Sequence, residues 1–373
     1  MRALLIVLEP LGVGSANPGF GLPVPSSLKQ LFDEVPDLEL PTLFKLGLGE
    51  IVTGNVSEPP QRTCAASYGR MTQRSAGSDS LSALWELAGI ILGCPFAAFE
   101  RLPAEFITAI ERESGIEFLL NCSSHPAITP ELSNEHQRTG RPILTLDPEG
   151  NLHIAANPAV VPSDRLLQIC RVTRRHSDKW RIAQVSAEPF CCNGAPACPP
   201  VRLSMVPPRT ILNALSEKGL PVEAIGGIND AFARSGITRS HATFTRAESL
   251  SVIERLWRSP QNGLVFAHLQ HPGNSLRCAR AFEEFDRWLA QFLNQTEPED
   301  LILITGSNNG RNREEIPVLV RYDGQAVPLG LRNTLADVAA TLGAFFGISE
   351  HGRPWYLGEP LITFHRPRGF NGP

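Results

Sequence analysis

The sequence predicts an α/β protein: a mostly parallel sheet flanked by helices, with an α+β segment inserted into it. Three observations carry this. Ala3–Leu8 is an unbroken apolar run, as expected of a strand buried on both faces. From Pro207 onward, short apolar runs alternate with amphipathic ones, the pattern of strand, helix and parallel strand. Between Phe96 and Val206 that alternation gives way to turn-rich and proline-rich chain. Residues 1–95 and 207–373 are therefore expected to form one core, and 96–206 an inserted domain.

Taken in order, Ala3–Leu8 is the first strand and ends at Glu9. Gly12 and Gly14 mark a tight turn, since a lone Gly-x-Gly is a weak sign of a phosphate loop. Pro36–Pro60 is a connector rich in Leu and Gly. Leu81, Leu84, Trp85, Ala88 and Leu92 recur at helical spacing, so a helix starts near Ser80 and runs to about Leu92. In the insertion, Pro103 and Gly115 bracket a helix over Ala104–Ser114. Arg141–Leu146 and Leu152–Ala155 read as strands around a turn at Asp147–Gly150. Asp164–Arg174 reads as a helix, Trp180–Val185 as a strand and Phe190–Pro208 as irregular chain.

The core resumes with a helix over Thr210–Lys218, capped by Thr210 and stopped by Gly219. A strand at Val222–Gly226 and helices at Asn229–Arg234 and Arg246–Trp257 follow. Gly263–Leu269 is a buried strand and Leu276–Leu293 a long amphipathic helix. Strands at Leu301–Thr305 and Val318–Tyr322 and a helix at Leu335–Phe346 complete the series. Ligands of such sheets bind beyond the carboxyl ends of the strands. Those ends are Glu9, Gly226, Leu269–Gly273 and Gly306–Asn309.

Composition narrows the function classes. The chain has 373 residues, 42% hydrophobic, with a net charge of −4. Lys and Arg are dispersed, which argues against a nucleic-acid partner. Met1–Leu8 is short, lacks a small-residue cleavage site and reads as a strand rather than a signal peptide. No window approaches the ~20 apolar residues of a membrane span, so a soluble, cytoplasmic protein is expected. Eight cysteines in a chain this long do not make a disulfide framework. Cys191, Cys192 and Cys198 cluster, but no second cluster completes four zinc ligands, so a loop of reduced thiols is expected.

The stretch around which the chain is organised is Ser75–Glu86. Ser80 stands where a helix N-terminus would offer free N–H groups and a positive dipole end to a phosphate. The same position suits a simple N-cap.

With these residues in view, the chain resembles bacterial phosphopentomutase, of the alkaline phosphatase superfamily. The resembling segments include Ile6–Gly14, Leu46–Gly49, Tyr68–Met71, Ser75–Ser80, Asn134–Gly140, Leu152–Ala156, Ala224–Ile228, Phe232–Thr238, Glu283–Asp286 and Ala336–Thr341. The resemblance implies an alkaline-phosphatase-like core with 96–206 as its cap. It also implies two divalent metals held by Asp and His around a phosphorylatable Thr.

Those positions are altered here. The family's first strand ends in Asp-Ser, and this chain has Glu9-Pro10. The nucleophilic Thr becomes Ser80, and the Gly-His pair after it becomes Ala83-Leu84. In the third set, His271 and Gly273 fall on the two Asp, and the following His ligand is lost with a shortened loop. In the fourth, Asp-His becomes Ser307-Asn308, and the last His is deleted or replaced by Arg311. Of the arginine-rich substrate run, only Arg202 is kept, and a surface charge explains it as well.

The resulting expectation is a catalytically inactive relative, a pseudoenzyme that binds a sugar phosphate or a protein partner, with no cofactor. The alternative is an active phosphotransferase with a site rebuilt around Glu9, Ser80, His271 and Arg311, which would use Mn or Mg. A metal- or redox-responsive role for Cys191, Cys192 and Cys198 is a third reading.

Overall fold

The computed structural model describes residues 1–15, 24–53, 63–97, 99–121, 128–147, 149–191, 197–198, 200–259, 262–270, 274–307, 313–348 and 357–364. The chain divides into two compact units. One comprises Met1–Cys94, Pro207–Asn229 and Arg234–Pro373; the other comprises Pro95–Val206 and Asp230–Ala233.

The strands in chain order are β1 (Arg2–Glu9), β2 (Ser67–Met71), β3 (Leu119–Asn121), β4 (Ile143–Leu146), β5 (Leu152–Ala156), β6 (Gln184–Pro189), β7 (Val201–Ser204), β8 (Val222–Gly226), β9 (Arg239–His241), β10 (Gly263–Gln270), β11 (Leu301–Gly306), β12 (Ile316–Arg321) and β13 (Pro328–Arg332). The helices are α1 (Ser27–Glu34), α2 (Pro41–Lys45), α3 (Leu48–Thr53), α4 (Ser80–Leu87), α5 (Ala104–Ser114), α6 (Pro130–Thr139), α7 (Ser163–Ser177), α8 (Ile211–Glu217), α9 (Ile228–Ala231), α10 (Arg246–Trp257), α11 (Ser275–Leu293) and α12 (Asp337–Phe346).

The first unit is built on an eight-stranded sheet in the order β13-β2-β12-β11-β1-β10-β8-β9. β11, β1, β10, β8 and β9 run parallel, and β12 alone runs antiparallel to both neighbours. β1 lies inside this sheet and is buried from Ala3 to Leu8, which is why its sequence shows no alternation. Leu4, Ile6 and Leu8 pack in a cluster with Leu28 of α1, Leu43 of α2, Ile253 of α10 and Phe282, Phe285 and Leu289 of α11. The Asp286 carboxylate of α11 accepts the Thr42 and Leu43 N–H groups, two of the orphan donors at the start of α2.

Gly12 shows the tolerance at the turn after β1. A Cβ there would lie 2.1 Å from Glu314 Oε2, so the glycine makes room for that carboxylate. Glu314 in turn accepts the N–H groups of Gly14 and Ser27 and ties this turn to α1.

The second unit carries the five-stranded sheet β3-β4-β5-β6-β7, in which β3–β4 and β5–β6 are parallel and the other pairs antiparallel. Its core joins Phe106 and Ile110 of α5, Ile154 of β5, Leu166 and Ile169 of α7 and Val185 of β6.

Three boundaries differ from those the local pattern predicts. The sixth strand is Gln184–Pro189 rather than Trp180–Val185, because Asp178–Trp180 extend α7 as a turn of 3₁₀ helix that Arg181 ends with a φ of 56°. Val201–Ser204, read as irregular, is an edge strand held by antiparallel pairing to β6. α4 stops at Leu87, with Gly89 at a φ of 98° and the Ile90 N–H turned back to Trp85 O. Among the described residues, no helix is long and apolar enough to cross a membrane.

A charged cluster fastens the β4–β5 turn. Asp147 accepts the N–H groups of Glu149 and Asn151 at 2.9 and 2.8 Å. His153 stands between two acids, with Nε2 3.1 Å from Asp147 Oδ2 and Nδ1 2.6 Å from Glu188 Oε1. Burial alone would lower the His153 pKa, but the two carboxylates outweigh it and raise the pKa to about 9. A folded pKa above the ordinary 6.5 stabilises the fold fully below pH 6.5 and loses that contribution as pH rises through about 9. Urea denaturation from pH 6 to pH 10 should therefore show wild type losing stability relative to His153→Gln across that interval. An imidazole titrating near 6.5 by NMR would contradict it.

Candidate functional site at the carboxyl edge of the large sheet

The site is organised by α4, which two carboxylates hold, Asp79 at its start and Glu86 in its last turn. Asp79, not Ser80, is the N-cap: its Oδ1 accepts the Ser82 N–H at 2.8 Å and its Oδ2 the Ser82 hydroxyl at 2.6 Å. Ser80 is thus the first helical residue, and its hydroxyl is not used as a cap. Glu86, fully buried, accepts the N–H groups of Arg74, Ser75 and Leu335 and the Thr334 hydroxyl, at 2.6 to 2.9 Å. One side chain thereby ties α4 to the segment after β2 and the segment before α12.

The Ser80 hydroxyl donates to Glu9 Oε1 at 2.5 Å. The other oxygen of Glu9 lies 2.8 Å from His268 Nε2, which is the donor because a carboxylate can only accept. Gln270, the register partner of Glu9 on β10, adds a further side-chain hydrogen bond. Burial pushes the Glu9 carboxyl upward. The His268 hydrogen bond and charge, with the bonds from Ser80 and Gln270, outweigh it and leave Glu9 below the usual carboxylate range.

Ser307 follows Gly306, which is the register partner of Leu8, so it stands beside the Glu9 end of β1. Its hydroxyl is buried and has no hydrogen-bond partner among the described residues. Gly306 admits no side chain, since a Cβ there would lie 2.2 Å from Leu11 O.

The structure thus brings Glu9 and Ser80 into contact and puts Ser307 at the same edge. His271, Gly273, Asn308 and Arg311 lie outside the described residues. Arg202 is exposed on β7 and makes no ion pair among the described residues. Cys191 and Cys198 are exposed free thiols, and Cys192 lies outside the described residues. Arg313, a potential source of positive charge near Ser80, donates from its guanidinium to the carbonyls of Ser75 and Ala76.

Sequence reasoning missed His268 and Gln270. The signal was present: they are the two polar side chains in Gly263–Gln270, and they sit at its carboxyl end. Alternation puts both on the same face of the strand.

No family model matches the chain. Curated proteins do. The chain is 34% identical over 385 residues to the phosphopentomutase of Anaeromyxobacter sp. (strain K), covering 96% of this chain and 98% of that protein. It is 33% identical to the phosphopentomutase of Syntrophotalea carbinolica, over 93% and 95% of the two chains. The chain belongs to the phosphopentomutase family. The phosphopentomutase of Acetivibrio thermocellus is 31% identical, with 94% and 97% covered. Among solved structures, the cofactor-independent phosphoglycerate mutase of Thermoplasma acidophilum overlays with a TM-score of 0.34 at 14% identity, over 87% of this chain and 90% of that one.

The ligand set that the phosphopentomutase resemblance implies is two divalent cations shared by several Asp and His. The described donors at this edge do not fit it. Glu9 has its oxygens already engaged by Ser80, His268 and Gln270, and the Asp79 carboxylate beside Ser80 is engaged by the Ser82 N–H and hydroxyl. The adjoining stretches, His271-Pro-Gly273 and Asn308-Asn-Gly-Arg-Asn312, contain no acidic residue. Among the described residues, no group of three His, Cys, Asp or Glu could hold a metal ion.

Removing Glu86 would strand three backbone N–H groups and one hydroxyl around α4. At about 1–3 kcal/mol for each unmet buried donor, Glu86→Ala should cost roughly 3 kcal/mol or more. Glu86→Gln, which keeps an oxygen acceptor, should cost less. Urea denaturation of the two variants checks this, and a loss under about 1 kcal/mol for the alanine variant would show that the clamp contributes little.

Proposed function

We propose that this member of the phosphopentomutase family is a pseudoenzyme. It lacks Mn- or Mg-dependent interconversion of ribose 1-phosphate and ribose 5-phosphate, and it acts by binding, with a sugar phosphate or a protein as partner. The observation that carries the reading is the Glu9–Ser80 contact.

Phosphoryl transfer to a hydroxyl needs positive charge on the transferring group. At Ser80 the nearest charge is the Glu9 carboxylate, held below its usual pKa range at 2.5 Å from the hydroxyl. An anion there opposes the positive charge that transfer of a phosphoryl group to the hydroxyl requires. His268 is engaged by that same carboxylate, and the Arg313 guanidinium is engaged by backbone carbonyls. The weakness of Glu9 as a base, which follows from its lowered pKa, points the same way.

A second reading has its own support. The curated relatives bear the name phosphopentomutase along nearly their whole length. Glu9 also stands where a base for Ser80 would have to stand. In this reading the chain is an active phosphotransferase with a rebuilt site that uses Mn or Mg.

Isothermal titration with Mn²⁺, alongside a coupled mutase assay, separates the two. The expected result is no stoichiometric Mn²⁺ binding and no turnover above background. Tight, stoichiometric Mn²⁺ binding, together with turnover abolished by Ser80→Ala, would establish the rebuilt-site enzyme instead.

A further inference from the structure

The opposite edge of the large sheet holds a cavity of about 280 Å³. It lies against the first residues of β1, β8 and β10, beside β9 and the last turn of α10. Seven residue steps of β1 separate Arg2 from Glu9, about 23 Å at strand rise, so this is not the Ser80 site.

The wall carries three guanidinium groups, Arg2, Arg239 and Arg255, but one carboxylate, Glu223. Glu223 is buried and already serves two partners. Arg239 Nε donates to its Oε1 at 2.7 Å, and His241 Nε2 lies 2.8 Å from its Oε2. Arg2 is held from behind the wall by Asp300, at 2.9 and 2.6 Å, with its guanidinium 4.8 Å from the centre of the Trp257 ring. Arg255 makes no ion pair among the described residues, and it leaves the cavity with a net positive charge.

One further feature suits an anion. The end of α10 would present a carbonyl to the cavity and repel an anion. That carbonyl, Trp257 O, is taken up by Arg2 Nη1 at 3.0 Å.

We propose that this cavity is a second ligand site, for a small, multiply charged oxyanion such as a phosphate monoester or a dicarboxylate. Arg255 would supply the positive charge that closes the balance, through charge-assisted hydrogen bonds to the oxyanion. The volume lies at the low end for metabolite pockets, which restricts the ligand to roughly the size of a phosphorylated pentose. The proposal does not depend on whether Ser80 is active.

Inorganic phosphate, ribose 5-phosphate and malonate should be titrated separately by calorimetry at constant ionic strength, with tryptophan fluorescence followed in parallel. At least one should bind with a dissociation constant of about 1 mM or below. Arg255→Glu, at an exposed position, should weaken that binding at least tenfold, and Arg255→Lys should retain most of it. Ser80→Ala should leave it unchanged. Phosphate binding without malonate binding would assign the site to phosphate esters, and the converse to carboxylates. The proposal is overturned if none of the three binds, if Arg255→Glu binds as wild type does, or if Ser80→Ala abolishes the binding.

Discussion

The arrangement of the carboxyl edge of the large sheet around Ser80 depends on the Glu86 carboxylate. A buried carboxylate is costly unless every lone pair finds a donor. Here the donors come from Arg74, Ser75, Thr334 and Leu335, which belong to two segments remote in sequence from each other. Satisfying Glu86 therefore brings the chain after β2, the last turn of α4 and the approach to α12 into one place. The direction of α4 follows, and with it the position of Ser80. The same logic recurs at Asp286 with α2 and at Glu314 with the turn after β1. In each, an acidic side chain meets helix or turn N–H groups rather than a cation.

Glu9 extends that pattern to the site itself. It ends a strand flanked by two parallel strands, so its carboxylate emerges where the carboxyl ends of β10 and β11 converge. Hydrogen-bond donors can satisfy one anion in such a place, and Ser80, His268 and Gln270 do so. A pair of divalent cations makes a different demand, since their charge must be balanced by several anionic ligands at once. Both environments can be built on one backbone, because the sheet sets the positions and the side chains set the charge. The membership of this chain in the phosphopentomutase family and the donors described at its edge are compatible for that reason.

The second unit shows how little of its electrostatics is local. His153 and Asp147 are six residues apart, but Glu188 comes from the neighbouring parallel strand, 35 residues away. Parallel pairing of β5 with β6 puts His153 beside Ser186, and Glu188 follows two residues later on the same face. Only with both acids in place does the imidazole become a strong base in a half-buried position.

Much was legible from the amino-acid order alone. The apolar run of β1, the alternation after Pro207, the start of α4 at Ser80 and the capping of α8 by Thr210 are encoded locally, by periodicity and by caps within three or four residues. The end position of β1 was readable for the same reason, which is how Glu9 could be singled out, whereas the resemblance pointed to Ser307. Tertiary structure decided the remainder. His268 meets Glu9 across 259 residues of chain, and no local pattern reports a partner at that distance. Asp79 takes the cap and leaves the Ser80 hydroxyl to Glu9, because competition between adjacent side chains is settled only by where the next strand lies. β7 forms only because β6 offers an edge, since strand pairing is a property of two segments and neither one carries it alone.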